Sequence, residues 1–256
     1  MPTTAKKVPV NAANRAPFDA QMCELVEELK PEVVSFHFGL PAPELVARVK
    51  RWGAQVWSSA TTVEEALWLE AHGADAIIAQ GLEAGGHRGM FLTDDLSTQL
   101  GTLALLPQVV QAVQVPVIAA GGIGSAQAVA AARCLGAAGV QMGTAYLCSH
   151  EATTSALHRA ALKSPAAQHT ALTNVFSGRP ARGIVNRVMR DLGPLCDQAP
   201  AFPLATAGMA LLRSAAESRQ STDFTPLWSG QNASTARHAS AVYITRDLVR
   251  AWQALN

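Results

Sequence analysis

Short, continuous apolar runs alternate with helix-periodic segments along the first half of this chain, and that beat restricts its fold more than any other feature. The runs cover residues 33–38, 55–59, 76–80, 117–120 and 139–146. Between them a period of 3.6 residues predicts helices over 42–51, 63–72, 104–113 and 126–135. Four of the five read as continuous, mainly apolar runs instead of a strict apolar–polar alternation, the pattern of parallel strands covered on both faces. Strand, helix and strand at this spacing imply parallel βαβ units with right-handed crossovers. The runs begin at residues 33, 55, 76, 117 and 139, so the third connection is about twice as long as the others. Long connections after a strand are where such folds place function.

Around this beat the chain is less regular. An irregular lead-in is expected over 1–20, followed by a helix over 21–30 that Pro31 ends. Past residue 146 the alternation stops. A helix reads over 151–163, a polar stretch rich in Gly, Arg and Pro over 170–190, and two further helices over 205–219 and 240–255. The expected organisation is a partial (β/α) barrel over 21–150 and a helical segment over 151–256 packed on it. The fold class is therefore α/β with TIM-barrel-type parallel units, and 256 residues at 49% hydrophobic content suffice for a substantial core.

Composition excludes several function classes. A net charge of +1 without a basic stripe argues against a nucleic-acid or anionic-membrane surface. No run of eighteen apolar residues is present, so a membrane span is not expected. The start carries Lys6 and Lys7 without a following apolar segment, which makes the cytoplasm the expected compartment. Cys23, Cys134, Cys148 and Cys196 lie far apart, without CxxC or other ligand-like spacing, and read as free thiols in a reducing compartment. No Gly-x-Ser-x-Gly elbow, HExxH motif or paired acids at a strand end support a hydrolase or a metal site.

Ligands in parallel α/β folds bind at the carboxyl ends of the strands. The third run feeds directly into Gln80-Gly81-Leu82-Glu83-Ala84-Gly85-Gly86-His87-Arg88-Gly89. Its glycines permit close backbone approach to a flat ligand. His87 is the residue in the loop able to exchange protons near neutral pH. The fourth run ends in Gly121-Gly122-Ile123-Gly124-Ser125 before a helix, and the fifth contains Gln141-Met142-Gly143-Thr144. Either turn alone is equally a structural glycine turn. Together, on successive strands, they favour a phosphate site built from backbone N–H groups. The spacing fits neither a Walker loop nor a dinucleotide fingerprint. His37, flanked by Phe36 and Phe38, reads equally as a structural or lining residue and as a catalytic one. Thr61 or Thr62 is a candidate cap for the helix over 63–72, with Glu64 and Glu65 as favourable charges in its first turn, and Ser125 for the helix over 126–135.

The runs VVSFHFGLP, ATTVEEA, AQGLEAGGHRG, VPVIAAGGIG and VQMGTAYL, followed by FSGRPARGIVNR and LWSGQ, resemble the nitronate monooxygenases in content and order. The resemblance implies FMN at a barrel mouth. Gln80 and Gly85 would lie on the isoalloxazine side, with Gly122, Gln141, Met142, Gly143 and Thr144 holding the ribityl phosphate and Gly86 and Gly121 also among the cofactor-binding residues. His87 would be the base that takes the α-proton of a neutral nitroalkane. The partners implied are a small nitronate or nitroalkane, such as propionate 3-nitronate, and dioxygen, giving a carbonyl compound and nitrite. Trp228 and Gln231 would either close over the cofactor or anchor the fold.

The front of the family barrel departs from this pattern. An apolar QAPM-type motif, a Gly-rich segment and an Asn-bearing strand are absent, so the strands found correspond to the last five of eight. The expectation is a truncated form, a mis-started frame, or a homo-oligomer in which another copy supplies the missing surface, with weak FMN binding by the chain alone. The competing readings are a flavin-dependent enoyl-acyl-carrier-protein reductase, which shares an EAGGH-like loop, and an inactive fragment.

Overall fold

The computed structural model describes residues 16–254, so most of the 1–20 lead-in and Leu255 lie outside the described residues. Helix α1 (Ala20–Leu29) begins at Asp19, whose carboxylate accepts from the Met22 N–H. The βα units follow in chain order: β1 (Val33–Phe36), α2 (Pro43–Arg51), β2 (Gln55–Ala60), α3 (Val63–Ala71) and β3 (Ala76–Gln80). A two-residue strand β4 (Gly86–His87) sits in the long connection, before α4 (Thr102–Ala112), β5 (Val117–Ala120), α5 (Ala126–Cys134) and β6 (Gly139–Gln141). Thr62 and Ser125 cap α3 and α5 by accepting from Glu65 N and Ala128 N, as their positions predict.

Strands β1, β2, β3, β5 and β6 form one parallel sheet in that order, curled as a half-barrel. β3 is central and buried at every position. Its residues alternate between two apolar clusters, which explains why the run shows no polar face. Ile77 and Ala79 pack with Leu69, Leu105, Leu106 and Val109 of α3 and α4. Ala76 and Ile78 pack with Ile118, Ala120 and Trp57 on the opposite face.

Two strands are shorter than predicted, each for a local reason. β1 stops at Phe36 because Phe38 (φ 65°) and Gly39 (φ 87°) turn left-handed. β6 stops at Gln141, and residues 144–146 form a 3-10 turn where the apolar run had suggested continued strand.

The segment after β6 contains α6 (Ala156–Lys163), β7 (Thr170–Thr173), β8 (Ala181–Ile184), α7 (Arg187–Leu192), α8 (Ala205–Glu217) and α9 (Ala241–Gln253). It is not helical throughout: the polar stretch over 170–190 contains two strands. β4, β8 and β7 make a small antiparallel sheet in which His87 pairs with Ala181 and Gly86 with Arg182. The long connection of the barrel is thereby stitched to the C-terminal segment. Helix α9 returns to α5, burying Ile244 and Leu248 against Val129, while Arg133 donates to the Trp252 carbonyl. Among the described residues no helix is long and apolar enough to cross a membrane, and the four cysteines are unpaired.

Candidate active site

A cleft opens at the carboxyl ends of the central strands, and its walls come from four chain segments. β3 and its loop contribute Gln80, Ala84 and Gly85; the turn after β5 contributes Ala120 to Ile123. β6 and its turn contribute Gln141, Met142, Gly143 and Thr144, and a returning strap contributes Gly230 and Asn232. The structure thus gathers Gln80, Gly85, Gly121, Gly122 and the 141–144 run around one space. Gly86 and His87 are not on its lining and stand one strand further along the loop.

The floor is built from turns that only small residues allow. Gly121 (φ 113°) and Gly122 (φ 69°) lie in the left-handed region, as the position between β5 and α5 requires. Glu83 holds this turn from beneath. The Thr102 N–H and hydroxyl both donate to its carboxylate at 2.8 Å, and the Thr102 hydroxyl also lies 2.9 Å from the Gly121 carbonyl. The strap is tied down on both sides. Asn232 Nδ2 donates to the Gly122 carbonyl at 2.9 Å, Gly230 N–H to Thr144 Oγ1 at 2.9 Å, and Gln231 N–H to the Glu83 carbonyl at 3.0 Å. Glu83, Gly230 and Asn232 were not singled out from the sequence; the amide-rich SGQN run after Trp228 is the signal that would have found the last two.

Gln80 links the cleft to His87. Its Nε2 donates to the His87 carbonyl at 3.0 Å, and its Oε1 accepts from Gly89 N–H at 2.8 Å. The imidazole of His87 stands in a nest of rings, 5.5 Å from Trp228, 5.8 Å from Phe202 and 6.0 Å from Phe38 between centroids. Its Nε2 lies 2.8 Å from the hydroxyl of buried Ser177. Ser177 lies in the FSGRPARGIVNR run, but its distance from the loop in the chain gives no sign that it meets His87. The guanidinium of Arg179 lies over the Phe38 ring, 4.2 Å from its centroid, and donates to the Met90 carbonyl.

Beneath the loop Arg88 is buried, with its guanidinium donating to the Gly81 carbonyl at 2.7 Å, the Gln80 carbonyl at 2.8 Å and Gln99 Oε1 at 3.0 Å. Burial first, and the charge of Arg182 second, push its pKa down to about 10, so it stays charged at neutral pH. Gln99 passes the network to Thr61, and Thr61 to the buried carboxylate of Glu65 at 2.7 Å. Glu65 also accepts from the N–H groups of Phe91 and Leu92. A residue read as a favourable charge in the first turn of α3 is thus a buried brace for the end of the loop.

Comparison with known proteins accords with this geometry. The family profile described as nitronate monooxygenase matches residues 2–251. A nitronate monooxygenase of Pseudomonas aeruginosa is 43% identical over 232 residues, covering 90% of this chain and 66% of its own length. One of Paraburkholderia phytofirmans is 40% identical, with coverage of 91% and 64%. The chain therefore spans somewhat under two thirds of the length of these curated relatives. The crystal structure of a nitroalkane oxidase from Streptomyces ansochromogenes superposes with a TM-score of 0.84 at 41% identity, over 92% of this chain and 69% of that one. FabK from Thermotoga maritima superposes at 0.73 with 26% identity, over 94% and 74%. On the extent of these matches, and with the glycine turns, Gln80 and His87 brought together as described, the chain belongs to the nitronate monooxygenase family.

Proposed function

We propose that this chain carries the cofactor cleft and the base of an FMN-dependent monooxygenase that oxidises alkyl nitronates, propionate 3-nitronate among them, to a carbonyl compound and nitrite. The observation that supports this best is the linkage by Gln80. One side chain lines the cleft and fixes the main chain of His87, so a flat ligand in the cleft and an imidazole beside it are held in register.

The cleft suits the phosphate end of FMN. Among the described residues the backbone N–H groups of Gly122 and Gly143 donate to no partner. A Cβ at Gly143 would meet nothing within 4 Å. The Thr144 hydroxyl accepts from Gly230 and keeps its own proton to donate. The capped N-terminus of α5 stands behind the Gly121–Gly122 turn, adding the partial positive charge that favours an anion. Gln80 and Gly85 would face the ring system. Bound there, FMN would supply the electron acceptor and the reaction with dioxygen.

The remaining chemistry belongs to the protein. His87 would take the α-proton of a neutral nitroalkane, with Ser177 holding Nε2 and the Phe38, Phe202 and Trp228 rings keeping water away from the imidazole. The direct test is His87→Asn. Turnover of a neutral nitroalkane should fall by roughly 10²-fold or more, while that of the pre-ionised nitronate is largely spared. Equal loss on both substrates rules out His87 as the base.

The reductase reading draws on the likeness to FabK. Its lower identity, against 41–43% for nitroalkane- and nitronate-oxidising relatives, places it second. NADPH-dependent reduction of an enoyl thioester, without oxygen uptake on nitronates, would reverse the order.

A further inference from the structure

The residue that follows β1 is a histidine that the cleft does not use. We propose that His37 is a positioning residue for His87: its neutral ring, protonated on Nε2, joins Gln80 in holding the His87 carbonyl. The proposal deepens the reading of His87 as a base and rests on it for the kinetic part of its test.

His37 Nε2 lies 3.2 Å from the His87 carbonyl oxygen. A carbonyl can only accept, so the proton of that bond must sit on Nε2. Nδ1 lies 3.0 Å from Ser59 Oγ and in the neutral ring is an acceptor for that hydroxyl. The same carbonyl accepts from Gln80 Nε2 at 3.0 Å. One oxygen is therefore gripped from two sides, by His37 just past β1 and by Gln80 at the end of β3. The backbone of His87 also pairs with Ala181. A loop residue fixed on three sides can present its imidazole in one direction.

The surroundings are shaped for this contact. Phe38, next in the chain, holds φ at 65°, a conformation rare for an aromatic residue, and its ring lies 4.6 Å from that of His37. Gly89 leaves room: a Cβ there would come within 2.9 Å of both His37 Cε1 and Ser59 Cβ. His37 is exposed as a residue, yet the protein packed about its ring lowers its pKa by desolvation; Arg88 and Arg179 act in the same direction, while the His87 carbonyl and Glu65 oppose them. The neutral form is thus maintained at neutral pH.

The test uses the full chain with 15N-labelled histidine. NMR of the rings should show His37 as the Nε2–H tautomer, titrating below the ordinary imidazole range. An Nδ1–H tautomer for His37 overturns the proposal without any variant. His37→Phe keeps a ring and removes the donor; His37→Gln keeps a donor. Amide exchange at Arg88 and Gly89 should rise about tenfold in His37→Phe and return most of the way in His37→Gln. Turnover of neutral nitroalkane should follow the same order through kcat with KM little changed, and pre-ionised nitronate should be spared. Wild-type exchange in His37→Phe, or equal impairment of the two variants, defeats the idea. If the exchange and tautomer results hold while His87→Asn fails its own test, the base assignment falls and the positioning of the loop stands.

Discussion

The hydroxyl of Ser177 lies 2.8 Å from Nε2 of His87, across ninety residues of chain. The same hydroxyl is 3.2 Å from the Arg179 carbonyl, to which it can donate. A serine that donates there receives the Nε2 proton of the histidine and so sets its tautomer. Removing it with Ser177→Ala should cost about 1 kcal/mol of orientation, a roughly five- to tenfold drop in kcat for neutral nitroalkane. Ser177→Thr should recover most of the rate. Steady-state kinetics of the two variants on ionised and neutral substrate check this, and an unchanged Ser177→Ala enzyme refutes it.

Arg88 satisfies three acceptors in the dark interior beneath the loop. Arg88→Met would leave the Gly81 and Gln80 carbonyls and Gln99 Oε1 without that donor, at a cost of about 2–4 kcal/mol. Arg88→Lys should not rescue it, because an ammonium cannot reproduce the planar fork that reaches three separated oxygens. Urea denaturation of the three proteins measures this directly. A lysine variant as stable as the native chain would show that charge, not geometry, is what the site needs.

Gly85 is where the loop meets the strap. A Cβ there would stand 2.6 Å from the Ser229 carbonyl carbon and collide with Gly230 N. Gly85→Ala must push the strap outward and should weaken FMN binding by about tenfold or more, read by quenching of flavin fluorescence. Gly86 is the control for bulk: a Cβ there meets nothing within 4 Å, although its φ of 74° leaves a strain of about 1 kcal/mol. Equal effects at the two positions would mean that backbone strain, not the strap, governs binding.

Acid should destabilise the fold through two histidines. His37 and His158 both have pKa values held down by desolvation, and His158 Nε2 lies 3.0 Å from the Trp228 carbonyl. Well above 6.5 both rings are neutral folded and unfolded, so they add no slope. As pH falls below 6.5 the unfolded chain takes up protons that the folded chain resists, and stability declines. Denaturation midpoints should fall between about pH 7.5 and about pH 5.5. His158→Gln, which can keep the donor to Trp228, should flatten that slope. A steeper slope in the variant contradicts the assignment.

What could be read from the sequence followed burial. The runs at β3 and β5 were legible to the residue because both faces are covered, so every side chain but that of Gln80, at the mouth of the cleft, is apolar. β1 and β6 were overextended because their runs of mostly apolar letters continue through Phe38 and Tyr146, where the backbone turns left-handed at Phe38 and forms a 3-10 turn over Thr144–Tyr146. β8 was invisible because its buried side chains include Arg182, whose Nε reaches the Leu82 carbonyl at 2.9 Å instead of an apolar neighbour. The glycine turns, Gln80 and His87 stood out because their chemistry is local. Ser177, Asn232 and Glu83 did not, since each acts through a partner that only the folded chain brings near.

Gln80 bonds to residues 87 and 89 much as one peptide group of an adjacent strand would, donating to one carbonyl and accepting from one N–H. Residues 81–86 thus form an excursion whose neck is closed by the side chain of the strand it leaves. Most of the ordering entropy of that excursion is met at folding, before a ligand arrives. Variation confined to Ala84, which lines the cleft, should therefore alter what the cleft admits without moving the imidazole relative to it. The architecture separates the part of the loop that can diverge from the part that must not move.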